Sequence, residues 1–190
     1  NSARQAGLCR PRAAAQPNRP GYVRSWEDVK ILPGALRALR ALARSDFLIV
    51  VVTNQSAIGR GLMSPQAVDA IHRRLRETIK AHRGRLDAIY VCPHAPEDGC
   101  QCRKPAPGLL LAAAADFGLS LARSYLVGVA LSDIQAAQAV GATGILVMTG
   151  RGRQQLKKPW PADLRPFHVA EDLGRAADLI WELEAKPLGD

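Results

Sequence analysis

Between Pro33 and Glu184 the apolar positions of the chain switch repeatedly between helical spacing and short continuous runs. Leu36, Leu39 and Leu42 recur at helical intervals after Pro33, a residue suited to a first helical turn, and predict a helix that ends before Asp46. The run from Phe47 to Val52 is apolar throughout and predicts a strand buried on both faces. Ser64-Pro65 supplies a cap and a first helical residue for the next segment, which turns Val68, Ile71, Leu75 and Ile79 inward and Arg73, Arg74, Arg76 and Lys80 mostly outward. Leu86 to Val91 reads as a strand, Pro107-Gly108 to Asp116 as a helix stopped by Gly118, and Tyr125 to Val127 as a strand. Ser132-Asp133 caps a helix ended by Gly141, Ile145 to Met148 is a strand, and Asp172 caps a last amphipathic helix to about Glu184. Strands joined through helices require right-handed crossovers and a parallel sheet, so the fold class is three-layer α/β.

Residues 1–24 break this pattern. They hold Pro11, Pro17 and Pro20, no acidic residue, and no apolar run longer than Ala13-Ala-Ala15. The domain reading is therefore an aberrant, disordered arm over 1–24 and a single α/β domain over 25–190. An arginine-rich, acid-free leader also resembles a transit peptide, although the chain begins with Asn1 rather than methionine.

The chain has 190 residues, 26 basic against 17 acidic side chains, a formal charge of +9 and 47% apolar residues, which is the composition of a globular protein. No apolar run approaches the about 20 residues of a membrane span, so a soluble chain with no membrane partner is expected. The positive charge could serve nucleic acid, an anionic membrane or a phosphorylated substrate. Aromatic residues at 5% argue against a base-stacking surface. The stripe Arg73, Arg74, Arg76, Lys80, Arg83 and Arg85 lacks a recognised nucleic-acid motif and reads better as a solvated helix face, so no nucleic-acid partner is expected.

Three of the four cysteines crowd into Cys92-Pro-His94-Ala-Pro-Glu-Asp-Gly-Cys100-Gln-Cys102. Three sulfurs and one imidazole match a tetrahedral structural zinc, and four protein ligands leave no position open for water. The competing reading is a group of reduced surface thiols beside a solvated histidine. Such crowding fits a reducing, cytoplasmic compartment better than disulfides. Thr53-Asn54-Gln55-Ser56 follows the apolar strand at its carboxyl end, where α/β sheets place ligands, and the hydroxyl with nearby backbone N–H groups could hold a phosphate. The same residues are also common turn chemistry. Arg103-Lys104 follows the last cysteine and would present two cations at a point set by the metal. Asp133 is either a site carboxylate or a helix N-cap, and its local surroundings favour the cap.

Taken in order, Gly21-Tyr22-Val23, Val51-Val-Thr-Asn-Gln-Ser56, Ile58-Gly-Arg-Gly61, Cys92-Pro-His94, Cys100-x-Cys102-Arg-Lys-Pro-x-Pro-Gly108 and Gly128 to Asp133 resemble the haloacid dehalogenase superfamily. Within it they are most similar to the zinc-containing D-glycero-D-manno-heptose 1,7-bisphosphate phosphatases, with histidinol-phosphate phosphatases as close relatives that share the zinc loop. The resemblance spans roughly Pro17 to Gly150. It implies a three-layer Rossmann-like parallel sheet of haloacid dehalogenase type, a zinc-binding loop, no large cap domain and a cytoplasmic monomer acting on a sugar phosphate. The implied reaction removes the 7-phosphate of the heptose bisphosphate, in lipopolysaccharide-core or nucleotide-activated heptose biosynthesis, by way of an aspartyl-phosphate and with Mg²⁺. It further implies phosphate stabilisation by Thr53 and Lys104, substrate binding by Asn54, Gln55, Ser56, Arg103 and Tyr22, and zinc on Cys92, His94, Cys100 and Cys102.

The carboxylates this mechanism needs do not match. Counting back about ten residues from Gly21-Tyr22, the resemblance implies a nucleophile and an acid/base in the neighbourhood of Pro11 and Ala13, where there is no carboxylate, and Val129 stands in place of the family's magnesium-ligating aspartate, with Asp133 as a remnant of the site. A Thr and a Lys can bind phosphate but have nothing with which to cleave it efficiently. The expectation is an impaired or inactive phosphatase scaffold, with a non-catalytic sugar-phosphate or protein-binding module as the alternative. A frameshift over residues 1–17, a decayed gene copy and a retained binding protein are each compatible with this. A Pro- and Arg-rich segment is also expected to be a poor central strand, so that the N-terminus would not pair as the family's does.

Overall fold

The continuous apolar run beginning at Phe47 becomes strand β2 (Leu48–Asn54) in the computed structural model, which describes residues 6–9, 23, 25–32 and 34–185. The other strands are β1 (Ala6–Cys9), β3 (Ala88–Cys92), β4 (Tyr125–Gly128), β5 (Thr143–Val147) and β6 (His168–Ala170). They form one parallel sheet in the order β3-β2-β1-β4-β5-β6. Helices α1 (Ala35–Leu42), α2 (Ser56–Gly59), α3 (Pro65–Ala81), α4 (Gly108–Phe117), α5 (Leu131–Ala139), α6 (Gly152–Gln155) and α7 (Leu173–Ala185) complete the described residues.

Because side chains alternate along a strand, the two faces of β2 divide the core. Ile49 and Val51 pack with Leu39 and Leu42 of α1, Leu75 and Ile79 of α3, and Ile180 of α7. Val50 and Val52 pack with Leu110 and Ala113 of α4 and Ala136 and Ala137 of α5. The sheet is thus covered on both sides, which is why the interior strand β2 carries no polar residue before Thr53. Each fully buried Ile, Val or Leu side chain contributes about 1.5–3 kcal/mol. The predicted start of α3 is observed, Ser64 Oγ accepting the Ala67 N–H at 3.1 Å with Pro65 in the first turn. Asp172 likewise caps α7 through the Arg175 N–H at 2.9 Å, and Gly118 ends α4 with φ of 62°.

The reading of the N-terminus requires correction at residues 6–9. Ala6–Cys9 is the third strand of the sheet and pairs on both sides, Leu8 with Val50 of β2 and with Leu126 of β4. The physical reason lies in the composition of those four residues: Ala-Gly-Leu-Cys holds no charge and no proline, and the arginines and prolines that speak against a central strand begin only at Arg10. Pro11, Ala13 and Tyr22 lie outside the described residues. Strand β6 and the one-turn helices α2 and α6 had no sequence signal, since none is long enough to show a period.

The stripe read as a solvated face is partly structural. Arg85 donates to the carbonyls of Ala43 at 3.1 Å and of Phe47, pairs with Asp87 at 3.0 Å, and so anchors the start of β2. Arg76 donates to the Leu86 carbonyl at 2.7 Å, and the Arg74 guanidinium lies 5.5 Å from the centre of the Trp26 ring. Among the described residues no helix is long and apolar enough to cross a membrane. The chain passes from β1 outward to β2 and β3 and returns to β4 on the other side of β1. The order therefore reverses at β1, and the crevice beyond the carboxyl ends of β1 and β4 is where such sheets hold ligands.

Candidate functional site

Strand β2 delivers Thr53 and Asn54 to that end of the sheet. Thr53 is buried, and Asn54 accepts the Lys104 backbone N–H at 3.2 Å while its amide donates to the Lys104 carbonyl at 3.3 Å. This reciprocal pair fixes a residue 50 positions downstream against β2. Asn54 is thus a positioning residue for Lys104, a role its place in the turn did not reveal. The Lys104 ammonium donates to the Val52 carbonyl, in the peptide immediately before Thr53, at 2.9 Å. It also pairs with Asp133 Oδ1 at 2.7 Å, both side chains being about 1% exposed.

Asp133 is not the N-cap that the sequence suggested. Helix α5 starts three residues earlier than an Asp133 cap would place it, its N-cap is the extended Ala130, and Asp133 occupies the third helical position. From there the carboxylate turns back to accept the N–H groups of Val129 and Ala130, each at 3.1 Å. One buried carboxylate therefore satisfies two donors at a helix start and neutralises a buried lysine, which is how an ion pair so completely desolvated is made tolerable. The arrangement needs Gly128. A Cβ there would stand 2.4 Å from Asp133 Cβ and 2.5 Å from its Oδ2. Gly128→Ala is expected to push α5 or Asp133 aside and cost about 1–3 kcal/mol, read as a lower midpoint in urea denaturation.

Val129 is 2% exposed and belongs to the apolar cluster that includes Val127, Ile145 and Val147. Mg²⁺ requires several oxygen ligands in octahedral array, commonly including one or two carboxylates. Asp133 already holds Lys104 and two backbone donors, and the Val129 side chain has no atom that could ligate a metal. The Cys/His set below is the group of three or more His, Cys, Asp or Glu ligands that comes together among the described residues. These residues do not fit a magnesium site.

They fit zinc. Cys92 Sγ lies 3.6 Å from Cys100 Sγ, Cys100 Sγ 3.5 Å from Cys102 Sγ, and His94 Nδ1 3.2 Å from Cys102 Sγ and 3.7 Å from Cys92 Sγ. All four atoms lie within 4.8 Å of one another. Sulfurs about 2.3 Å from a common tetrahedral centre stand ~3.8 Å apart, so the ligands are already close to their metal-bound spacing. Burial pushes the Cys92 thiol up to about 12. Cys100 is raised by desolvation but brought down to about 7 by hydrogen bonds from Cys102, Cys92 and the backbone N–H groups of Arg103 and Cys102. The cluster thus has one thiol poised to ionise and others that a cation must deprotonate. The loop is further tied to the sheet by the Gly59 N–H donating to the Pro93 carbonyl and the Gln55 N–H to the Cys92 carbonyl, both at 2.8 Å. Arg103 donates back to the His94 carbonyl at 3.3 Å.

Of the residues read as a site, Thr53, Asn54, Lys104, Val129 and Asp133 thus meet at the carboxyl ends of β2 and β4. Ser56 begins α2 beside them, and Arg103 joins the zinc loop to Lys104. Two polar residues were missed: His72 on α3 and Lys30 both line a cleft with Thr53 and Gln55. The line Val68, His72, Leu75 and Ile79 at helical spacing, interrupted by one imidazole, was the available signal for His72.

A model of HAD-hydrolase-like proteins matches residues 101–176. A D-glycero-beta-D-manno-heptose-1,7-bisphosphate 7-phosphatase of Pseudomonas aeruginosa is 37% identical over 161 residues, which is 85% of this chain and 89% of the relative. The enzyme of the same name from Bordetella bronchiseptica is 39% identical over 162 residues, again 85% and 89%. Among solved structures, D,D-heptose 1,7-bisphosphate phosphatase from B. bronchiseptica complexed with magnesium and phosphate superposes with a TM-score of 0.83 at 34% identity, over 95% of this chain and 99% of that one.

Proposed function

The chain belongs to the D-glycero-D-manno-heptose 1,7-bisphosphate phosphatase family of the haloacid dehalogenase superfamily, and from that premise we propose that it binds a sugar phosphate at Thr53 and Lys104 with little or no turnover. The observation that carries this reading is the buried Lys104, its ammonium held beside Thr53 by the Val52 carbonyl and Asp133, in a chain that has Pro11, Ala13 and Val129 where the family's reacting carboxylates would be expected. The parts that receive an oxyanion are in place: a hydroxyl at a strand end and an ammonium of fixed position. The parts that would cleave it are a nucleophile, a proton donor and a second carboxylate, and proline, alanine and valine can perform none of these roles. The zinc set would fix the loop that carries Arg103 and Lys104, and a four-ligand zinc supplies no activated water. The expected ligand is a heptose phosphate, the class named for the relatives, met in the cytoplasm.

Inorganic phosphate at about 100 times its dissociation constant should raise the thermal midpoint by roughly 5–10 °C, equivalent to ~2.7 kcal/mol. Thr53→Ala should abolish most of this rise while leaving the unliganded midpoint within a few degrees. Absence of any phosphate-dependent rise in the zinc-loaded wild-type protein would overturn the proposal.

A further inference from the structure

The sulfurs of the Cys/His loop differ in their access to solvent. Cys92 ends β3 and is fully buried, whereas Cys100 and Cys102 are half-buried. Cys100 sits in the most open stretch of the loop, with Glu97, Asp98, Gly99 and Gln101 around it all exposed. Its Sγ lies 3.6 Å from the Sγ of Cys92. An accessible thiol with a second, protected thiol at that distance is the arrangement of an attacking and a resolving cysteine. Cys102 Sγ is as near to Cys100, at 3.5 Å, but a bridge between residues only two apart closes a small, strained ring that is readily reduced. Cys92 and Cys100 are joined by seven residues that already turn back on themselves, through Pro93, Pro96 and a Gly99 with φ of 60°. Bonding them needs the sulfurs to close from 3.6 Å to about 2.05 Å, a movement that the exposed turn at Gly99 can absorb.

We propose that Cys92 and Cys100 are an oxidative modification site for hydroperoxides, at which formation of a disulfide between them makes the loop give up its metal. Cys100 Sγ attacks a peroxide oxygen, the O–O bond breaks, and the products are a sulfenic acid on Cys100 and water, or an alcohol from an organic hydroperoxide. Cys92 Sγ then attacks Cys100 Sγ, the S–O bond breaks, and the hydroxyl leaves as water with a proton. In sum two thiols lose two electrons and two protons, and the peroxide gains them; where the sulfurs enter as metal-bound thiolates, solvent supplies the protons as the cation leaves. The bridge removes two of four ligands, and His94 with Cys102 is too small a set for a tetrahedral site. The order of events follows from burial: the sulfur that meets the oxidant is the one at the surface, and the sulfur that resolves it is shielded from further oxidation. This property does not depend on phosphate binding at Thr53.

The test treats the zinc-loaded full chain, carrying Cys9→Ser so that these three thiols are the only ones, with hydrogen peroxide in the presence of a chromogenic zinc indicator. The expected result is release of about one zinc and loss of about two thiols per chain, a mass lower by about 2 Da, and a peptide map that joins Cys92 to Cys100. Dithiothreitol should restore the thiols and the metal, whereas added zinc alone should not, which separates oxidation from simple chelation. Cys102→Ser weakens the metal site but keeps the proposed pair, so it should still form the bridge. Retention of zinc after the thiols are lost, a bridge that uses Cys102, or sulfinic acids without any bridge would overturn the proposal. A chain that holds no zinc yet joins Cys92 to Cys100 would overturn its metal-release step and leave the disulfide site standing.

Discussion

Incubated with D-glycero-D-manno-heptose 1,7-bisphosphate and Mg²⁺, the protein is expected to release phosphate at least about 10⁴-fold more slowly than an intact member of its family. The magnitude follows from what is replaced. Proton transfer alone is worth about 10²–10⁴ in rate, and a missing nucleophile removes the covalent route altogether, so the losses converge on whatever binding and electrostatics still provide. What still provides is small. Lys104 can stabilise charge near Thr53, but its own charge is partly cancelled by Asp133 at 2.7 Å. Restoring one position should not help: Val129→Asp places a carboxylate where the side chain is 2% exposed and surrounded by Val127, Ile145 and Val147, which costs several kcal/mol of folding unless a cation binds. The triple change Pro11→Asp, Ala13→Asp and Val129→Asp is the smallest that supplies all three roles, and any recovery should require Mg²⁺. Phosphate release by the unaltered chain at a rate near that of intact relatives would sink the reading of an impaired scaffold.

Removal of zinc is expected to lower the thermal midpoint by about 10 °C or more, and metal analysis of the purified protein should find one zinc per chain. Saturation at about 1,000 times the dissociation constant is worth ~4.1 kcal/mol, and each kcal/mol moves the midpoint of a chain this size by about 2–4 °C. Apart from the hydrogen bonds at its two ends, the loop has little apolar packing to hold it: between Pro93 and Arg103 only Ala95 is a buried apolar residue, and the Arg60–Glu97 pair at 3.1 Å is exposed and worth little. The sheet, with separate apolar clusters on its two faces, should survive chelation. Hydrogen exchange should therefore rise mainly over residues 92–106, and the phosphate-dependent stabilisation should weaken because Lys104 loses its rigid approach. Cys100→Ser is expected to reproduce both effects. An unchanged midpoint after complete chelation would show that the thiols are not a structural metal site.

The elements with long periods were legible in the chain. The double-faced burial of β2, the Ser64-Pro65 start of α3, the Asp172 cap of α7 and the Gly118 stop of α4 each follow from local chemistry that a few neighbouring residues dictate. The Cys/His set that fits zinc was legible for the same reason: its four residues lie within 11 positions, so their convergence needs only a turning loop. Elements of three or four residues were not legible, because β6 and α2 are too short to show a period and exist through what they pack against.

Composition misled at β1. A segment dense in proline and arginine was judged as a whole, whereas pairing depends on the few residues that enter the sheet, and Ala6–Cys9 contains neither. Asp133 shows the complementary limit. Its place near a helix start was visible in the sequence, but the lysine that makes its charge tolerable comes from a loop 29 positions away, and no local pattern brings them together.

By itself, then, the sequence determined the layered α/β architecture and the Cys/His set of the metal loop, and it is the sequence alone that carries the proposal that Pro11, Ala13 and Val129 stand where the mechanism needs carboxylates. Those are matters of residue type and short-range spacing. Only the tertiary structure decided that Asn54 positions Lys104, that Asp133 neutralises it against Gly128, and that His72 and Lys30 face the same cleft as Thr53. Those are contacts between residues distant in the chain, and they exist because the parallel crossovers bring the carboxyl ends of separate strands to one edge of the sheet.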